Sequence, residues 1–183
     1  NKSPNTNGKD IATNANIAKV AGQEPCVYQL QDGTCIIKIL NTRHGGYTYL
    51  SYANCMAAKD NGDIDVDACF ADYDKQDFYA GAVLACGGKK NNLPSEGQLL
   101  ALAKHIYGTK NVNSGYTPGL SFKYDRAQPF LDVSLAGTYF DVWSNSELSS
   151  SSAYKRTFNS NNTYWDHGYL RNNNYALAVC MGN

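Results

Sequence analysis

This sequence predicts an α+β fold held by disulfides. Three observations carry that expectation. Helical apolar spacing is concentrated between residues 48 and 107. Short β-rich runs separated by turns fill the chain from 138 onward. Six cysteines, an even number, occur without a C-x-x-C pair. The 183 residues suit one domain with a sizeable core.

The elements are read in chain order. Residues 1–25 are polar and poor in large apolar side chains, which predicts an extended or flexible segment. A single domain is expected over 26–183. Val27 to Leu30 and Cys35 to Leu40 flank Asp32-Gly33, so a hairpin is expected, with Cys26 and Cys35 across it. Leu50, Ala53, Met56 and Ala57 share helical spacing and predict a short helix ending near Asp60-Asn61-Gly62. Phe78, Ala82 and Val83 predict a second helix, stopped at Cys86-Gly87-Gly88. The third helix is the clearest. Ser95 followed by Gln98 is a capping-box pattern, Leu99, Leu102, Ala103 and Ile106 form a stripe, and Gly108 ends it. Residues 109–137, punctuated by Gly115, Pro118, Gly119, Pro129 and Gly137, read mostly as loop. Strands are expected at Tyr139 to Trp143, Ala153 to Phe158, Tyr164-Trp165 and Tyr175 to Met181, forming an antiparallel sheet.

Composition narrows the function. Basic and acidic residues balance at 16 each, without the basic stripe of a nucleic-acid binder. No apolar run is long enough to span a bilayer. The chain opens without a methionine or a secretory leader and is read as a mature or trimmed form. The cysteine set predicts three disulfides in an oxidising compartment, hence a secreted or cell-surface protein. The expected pairing is Cys26–Cys35, Cys55–Cys69 and a long Cys86–Cys180 bridge, although six cysteines allow more pairings than sequence can decide.

The stretch 139–175 is the informative one. It holds five tyrosines, seven asparagines and seven serines, together with Trp143 and Trp165. Antibody contact loops have this composition, because tyrosine gives rigid contact area and Ser and Asn give adaptable hydrogen bonds. Trp143, between apolar neighbours, is expected in the core, whereas Trp165, among Tyr164, Asp166, His167 and Tyr169, is a contact candidate. Asp63, Asp65 and Asp67 hint at a calcium loop, but Ala68 stands where the EF-hand turn needs glycine. A solvated loop is expected there, with no metal. The histidines at 44, 105 and 167 share no ligand spacing, and nucleophile-elbow, Walker and dinucleotide patterns are missing. Neither an enzyme nor a cofactor is expected.

Leu93-Pro94-Ser95-Glu96-Gly97-Gln98-Leu99, Val142-Trp143-Ser144, Ala153 to Phe158 and Ala178-Val179-Cys180 resemble segments of bacterial C-type-lectin-like domains of the formylglycine-generating-enzyme type. Tyr79 to Gly88 is similar to segments of exported, pilin-associated proteins. The resemblance covers roughly 80–183. It implies helices followed by a small twisted antiparallel sheet, and a disulfide from a helix to the last strand, in agreement with Cys86–Cys180. Many such domains are targets of diversity-generating retroelements, in which mutated template adenines turn asparagine codons into Tyr, Ser, Asp and His. The resemblance then implies a variable ligand-binding region at 139–177 on a scaffold of Trp143, Ala153, Phe158 and Cys180. Contacts would come from Tyr139, Asp141, Tyr154, Arg156, Tyr164, Asp166, His167, Tyr169, Asn173 and Tyr175, with Trp165 added. The Glu-Pro-Asn tripeptide of calcium-dependent sugar binding is missing. The reactive cysteine pair of the formylglycine-generating enzymes cannot be placed.

The expected function is thus an adhesin- or receptor-type binder. Its partner would be a protein on another cell or a phage surface, with a glycan second, and not a nucleic acid. A minor pilin or fibre-tip subunit is the alternative.

Overall fold

A computed structural model describes residues 24–182. The order is β1 (Tyr28–Gln29), β2 (Cys35–Leu40), α1 (Tyr52–Asp60), α2 (Phe78–Ala85), α3 (Glu96–Tyr107), β3 (Thr117–Pro118), α4 (Tyr124–Val133), β4 (Phe140–Glu147), β5 (Ser152–Phe158), β6 (Asn162–Leu170) and β7 (Ala178–Gly182). The fold is α+β, with four helices and two small antiparallel sheets among the described residues. One sheet runs β1-β2-β7 and the other β3-β6-β5-β4. A parallel bridge from Val142 to Leu177 joins them. The expectation for 1–25 falls almost wholly outside the described residues.

Local chemistry accounts for the helix boundaries. On α3, the Ser95 hydroxyl accepts from the Gln98 N–H at 3.1 Å, and the Gln98 side chain accepts from the Ser95 N–H at 2.9 Å. This reciprocal cap satisfies two otherwise orphaned donors. Gly108 then ends the helix in the left-handed region, φ 66°. Helix α2 is buried from Phe78 through Val83. Gly81 makes that possible, since a Cβ there would sit 1.7 Å from the Thr48 carbonyl oxygen.

Two expectations need correction. Residues 109–137 are not mostly loop, because Tyr124–Val133 is helical despite Pro129 inside it. Ala127, Phe130 and Leu131 are buried on the core side, and that packing outweighs the N–H lost at Pro129. Strand β6 is also longer than Tyr164-Trp165 and runs on through Asp166, His167 and Gly168.

All three disulfides form as expected: Cys26–Cys35, Cys55–Cys69 and Cys86–Cys180. No described helix is long and apolar enough to cross a membrane.

The core has two parts. Helices α3 and α4 pack on one face of the larger sheet, through Leu99, Leu102, Ile106 and Phe130 against Phe140, Val142 and Phe158. Helix α2 packs with Trp143, Ala153, Ala176, Ala178 and the Cys86–Cys180 bridge. Trp143 is fully buried, as expected of a core residue.

A polar network crosses this second part. The guanidinium of Arg171, fully buried, donates from Nε to Asp77 Oδ1 at 3.1 Å and lies 2.9 Å from Asp77 Oδ2 through Nη2. Its Nη1 meets Glu147 at 2.8 Å. Asp77 also caps α2, accepting from the N–H groups of Ala80 and Phe70. Glu147 accepts from Lys90 and from the Asp67 N–H. Asp65 accepts from the Lys90 N–H, so the acidic run at 63–67 is knitted into this network.

Four tyrosines anchor the halves by donating to main-chain carbonyls: Tyr28 to Arg126, Tyr47 to Ala176, Tyr79 to Ser144, and Tyr107 to Asn159. Burial raises the pKa of each phenol well above the ordinary tyrosine value. The unfolded chain releases these protons from about pH 10, whereas the folded chain retains them. Folding therefore binds more protons at high pH, and stability falls as pH rises past about 10. Urea denaturation across neutral to strongly alkaline pH should show that loss. Single Phe replacements at Tyr47 or Tyr79 should flatten it, and an unchanged slope in both would contradict this account.

Candidate functional site

The larger sheet positions the expected contacts, and its register decides which of them share a face. Cross-strand partners point the same way. Val142, Arg156 and Trp165 are partners on one face, and Asp141, Thr157 and Tyr164 on the other. Lys155 pairs with Asp166 on that second face.

Alternation alone would put Tyr169 on the first face with Trp165 and His167. A bulge prevents it. Ala153 pairs with Tyr169 and Lys155 with Asp166, so two steps on β5 oppose three on β6. Gly168 takes the left-handed conformation this needs, φ 78°. Tyr169 is thereby carried to the Lys155 face, and the Lys155 ammonium lies 4.2 Å from its ring centroid.

Lys155 is the centre of that face. Its Nζ is 2.8 Å from Asp141 Oδ2 and 3.4 Å from Asp166 Oδ2, with only 4% of the side chain exposed. A cation so buried requires such partners. Asp141 Oδ1 is buried with no hydrogen-bond partner among the described residues. Tyr139, Tyr169 and Tyr175 surround the cluster. Tyr139 is half-buried, and its phenol is raised by burial and then by the fields of Asp141 and Tyr175. Tyr169 and Tyr175 are 40% and 45% exposed, so their rings are the part a partner can reach.

The first face carries a second aromatic group. Tyr154 stacks on Trp165 with centroids 5.2 Å apart and planes 7° apart, and His167 lies 6.5 Å from Tyr154. Tyr164 reaches the sheet edge, where its ring lies 6.2 Å from Tyr116. Tyr116, Tyr164, Trp165, His167, Ser114 and Glu96 line an open groove of about 470 Å³.

The expected contacts are therefore divided. Tyr139, Asp166, Tyr169 and Tyr175 gather on the Lys155 face, whereas Tyr154, Trp165 and His167 belong to the groove side, and Tyr164, of the Lys155 face by register, reaches the groove at the sheet edge. Two residues need correction. Asp141 is only 6% exposed, because it neutralises Lys155. Arg156 is fully buried and binds Thr163 Oγ1 and the carbonyls of Ser114 and Asn113. Burial pushes its pKa down to about 10, which leaves it cationic at neutral pH. Asn173 spends its side-chain oxygen on the N–H groups of Tyr175 and Ala176, so it shapes the loop that presents Tyr175.

Sequence reasoning missed Lys155 and Tyr116. A lysine inside Ala-Tyr-Lys-Arg-Thr-Phe carries no local sign of which charges face it across the sheet. Tyr116 stood in a segment dismissed as loop, yet an aromatic residue in Ser-Gly-Tyr-Thr-Pro-Gly was a usable signal.

No family model matches the chain, and no curated protein or solved structure matches it.

Proposed function

We propose that this chain is a secreted or surface-displayed binding protein that grips its partner through the tyrosines above Lys155. The scaffold, on this reading, is C-type-lectin-like, and the face is of the kind diversified by retroelements. One observation carries the reading most. Tyr169 and Tyr175 stand 40% and 45% exposed beside a lysine pinned by two aspartates, on a sheet joined through the Val142–Leu177 bridge to the segment that carries the Cys86–Cys180 bond. Rigid aromatic side chains over a fixed polar floor provide contact area at low entropic cost, which is how a paratope works. Three disulfides in one small domain fit an oxidising, extracellular setting. All six cysteine sulfurs are tied in bridges, so no cysteine offers a thiol nucleophile.

The test is a fluorescently labelled protein applied to a panel of intact bacterial cells and to arrayed glycans. Binding to at least one surface is expected. The Tyr169→Ala/Tyr175→Ala variant should lose about tenfold or more in affinity, with Tm within about 2 °C of the parent. Undiminished binding by that variant would sink the reading, and so would its failure to fold.

A further inference from the structure

Basic and acidic residues balance over the whole chain, 16 against 16, yet the balance is not local. At the C-terminal end of α3 a groove of about 370 Å³ is lined by Lys104, His105, Lys110, Arg126, Thr109 and Gln31, with Asp32 as the carboxylate in its wall. Lys123 adds a fourth cation, since its aliphatic stem lies across Gly108 at the rim. Four cations thus face one lining carboxylate, with Asp125 the second acidic group whose field reaches His105. Among the described residues, no ion pair involves Lys104, Lys110, Lys123 or Arg126. Asp32 is itself occupied, accepting from the Thr34 N–H at 2.9 Å.

Part of this charge has a structural use. Cations favour the carbonyl end of a helix, and Arg126 donates to the His105 carbonyl at 3.0 Å. One arginine and one helix-end lysine would suffice for that. Lys110 lies beyond the helix and Lys123 precedes the next one, so neither belongs to the last turn of α3. Like charges that outnumber the carboxylates near them repel one another, and a concave site concentrates their field.

We propose that this groove binds a linear acidic polysaccharide, with the four cations meeting its carboxylate or sulfate groups and Gln31 and Thr109 meeting its hydroxyls. A chain fits a cleft that a flat membrane surface cannot enter. The site is separate from the tyrosine face and from the aromatic groove. Glu96, the first residue of α3, lines the aromatic groove, while Lys104 and His105 in its last turn line the basic one. The eight to nine helical steps from Glu96 to Lys104 and His105 separate those lining residues by about 12–14 Å along the axis. Acidic sugar chains coat many cell surfaces, and such a site would hold the protein near a surface while the tyrosines select a partner.

The experiment uses heparin and hyaluronate as probes, by calorimetry and by elution from immobilised heparin in rising salt. The parent protein should bind and be released as salt screens the charges. Lys104→Glu/Lys110→Glu and Lys110→Glu/Lys123→Glu should each weaken heparin binding by about tenfold or more, with Tm nearly unchanged. Lys89→Glu, an exposed reversal elsewhere, should not. The Tyr169→Ala/Tyr175→Ala variant should keep heparin binding, which separates failure of this site from failure of the tyrosine face. The proposal is overturned if neither polysaccharide binds at low salt, or if both double reversals bind as the parent does. It is also overturned if poly-glutamate or anionic phospholipid vesicles bind as tightly as heparin.

Discussion

Replacing Arg171 with methionine is expected to remove about 3–5 kcal/mol of folding stability, the usual result of taking one partner from a buried ionic cluster. The change leaves two carboxylates, Asp77 and Glu147, facing a site that has lost its cation. Side-chain exposure is 0% for Arg171 and Asp77 and 5% for Glu147, so water cannot take the guanidinium's place without opening the structure. The damage would also spread along the chain. Arg171 holds the Ala68 carbonyl at 2.9 Å and lies over the Tyr79 ring, and its own carbonyl accepts from the Phe78 N–H that starts α2. Urea denaturation should show a lower midpoint with an unchanged slope. A loss under about 1 kcal/mol would mean that Lys90 and the surrounding N–H donors neutralise the two carboxylates unaided. Arg171 follows the end of β6 and precedes the loop bearing Tyr175, so a weakened network should loosen the contact face too. That makes Arg171→Met a poor probe of ligand contact and a strong probe of the frame.

This network also shows why the sequence disclosed the scaffold more fully than the site. The capping box at Ser95 and Gln98, the glycine stop at 108 and the even set of cysteines are local or countable features, and each was legible, whereas the pairing of the six was open to several choices. Ala127, Phe130 and Leu131 carry a helical apolar spacing too, but Pro129 and the nearby glycines are the signals on which 109–137 reads as loop. Asp141 and Arg156 were misjudged for a deeper reason. Alternation along β5 says which residues share a face, and it does not say which face is covered. Here both faces of β5 are covered over most of its length: helices α3 and α4 lie over one, and the other is closed around Lys155 by its aspartates and Tyr169. The grouping of Tyr169 with Lys155 depends on an extra residue at Gly168, which moves one side chain to the opposite face. A bulge of that kind is set by pairing across strands, so no window of sequence contained it.

The cross-link between Cys86 and Cys180 should prove the most valuable of the three. Its partners are 94 residues apart, against 9 and 14 for the others. In the chain-entropy model a loop of that size is worth about 4–5 kcal/mol, compared with about 3 for the shorter ones. Its place in the fold favours a large effect as well. Cys180 lies in β7, which pairs with β2 in the smaller sheet, and Leu177 just before it bridges to β4 in the larger one. Cys86 caps the buried helix α2. One bond thus fastens α2 to the strand where the two sheets meet. The Cys86→Ala/Cys180→Ala variant is expected to melt about 10–15 °C below the parent at neutral pH, while Cys26→Ala/Cys35→Ala should fall by less. Cys26 is exposed, whereas Cys55 and Cys69 are as buried as Cys86 and Cys180, so Cys55→Ala/Cys69→Ala, across a separation of 14, serves as the control for lost packing. If that control and the Cys86→Ala/Cys180→Ala variant melted together, loop length would not govern the loss, and the stability of the contact face would have to be credited to the Arg171 network instead.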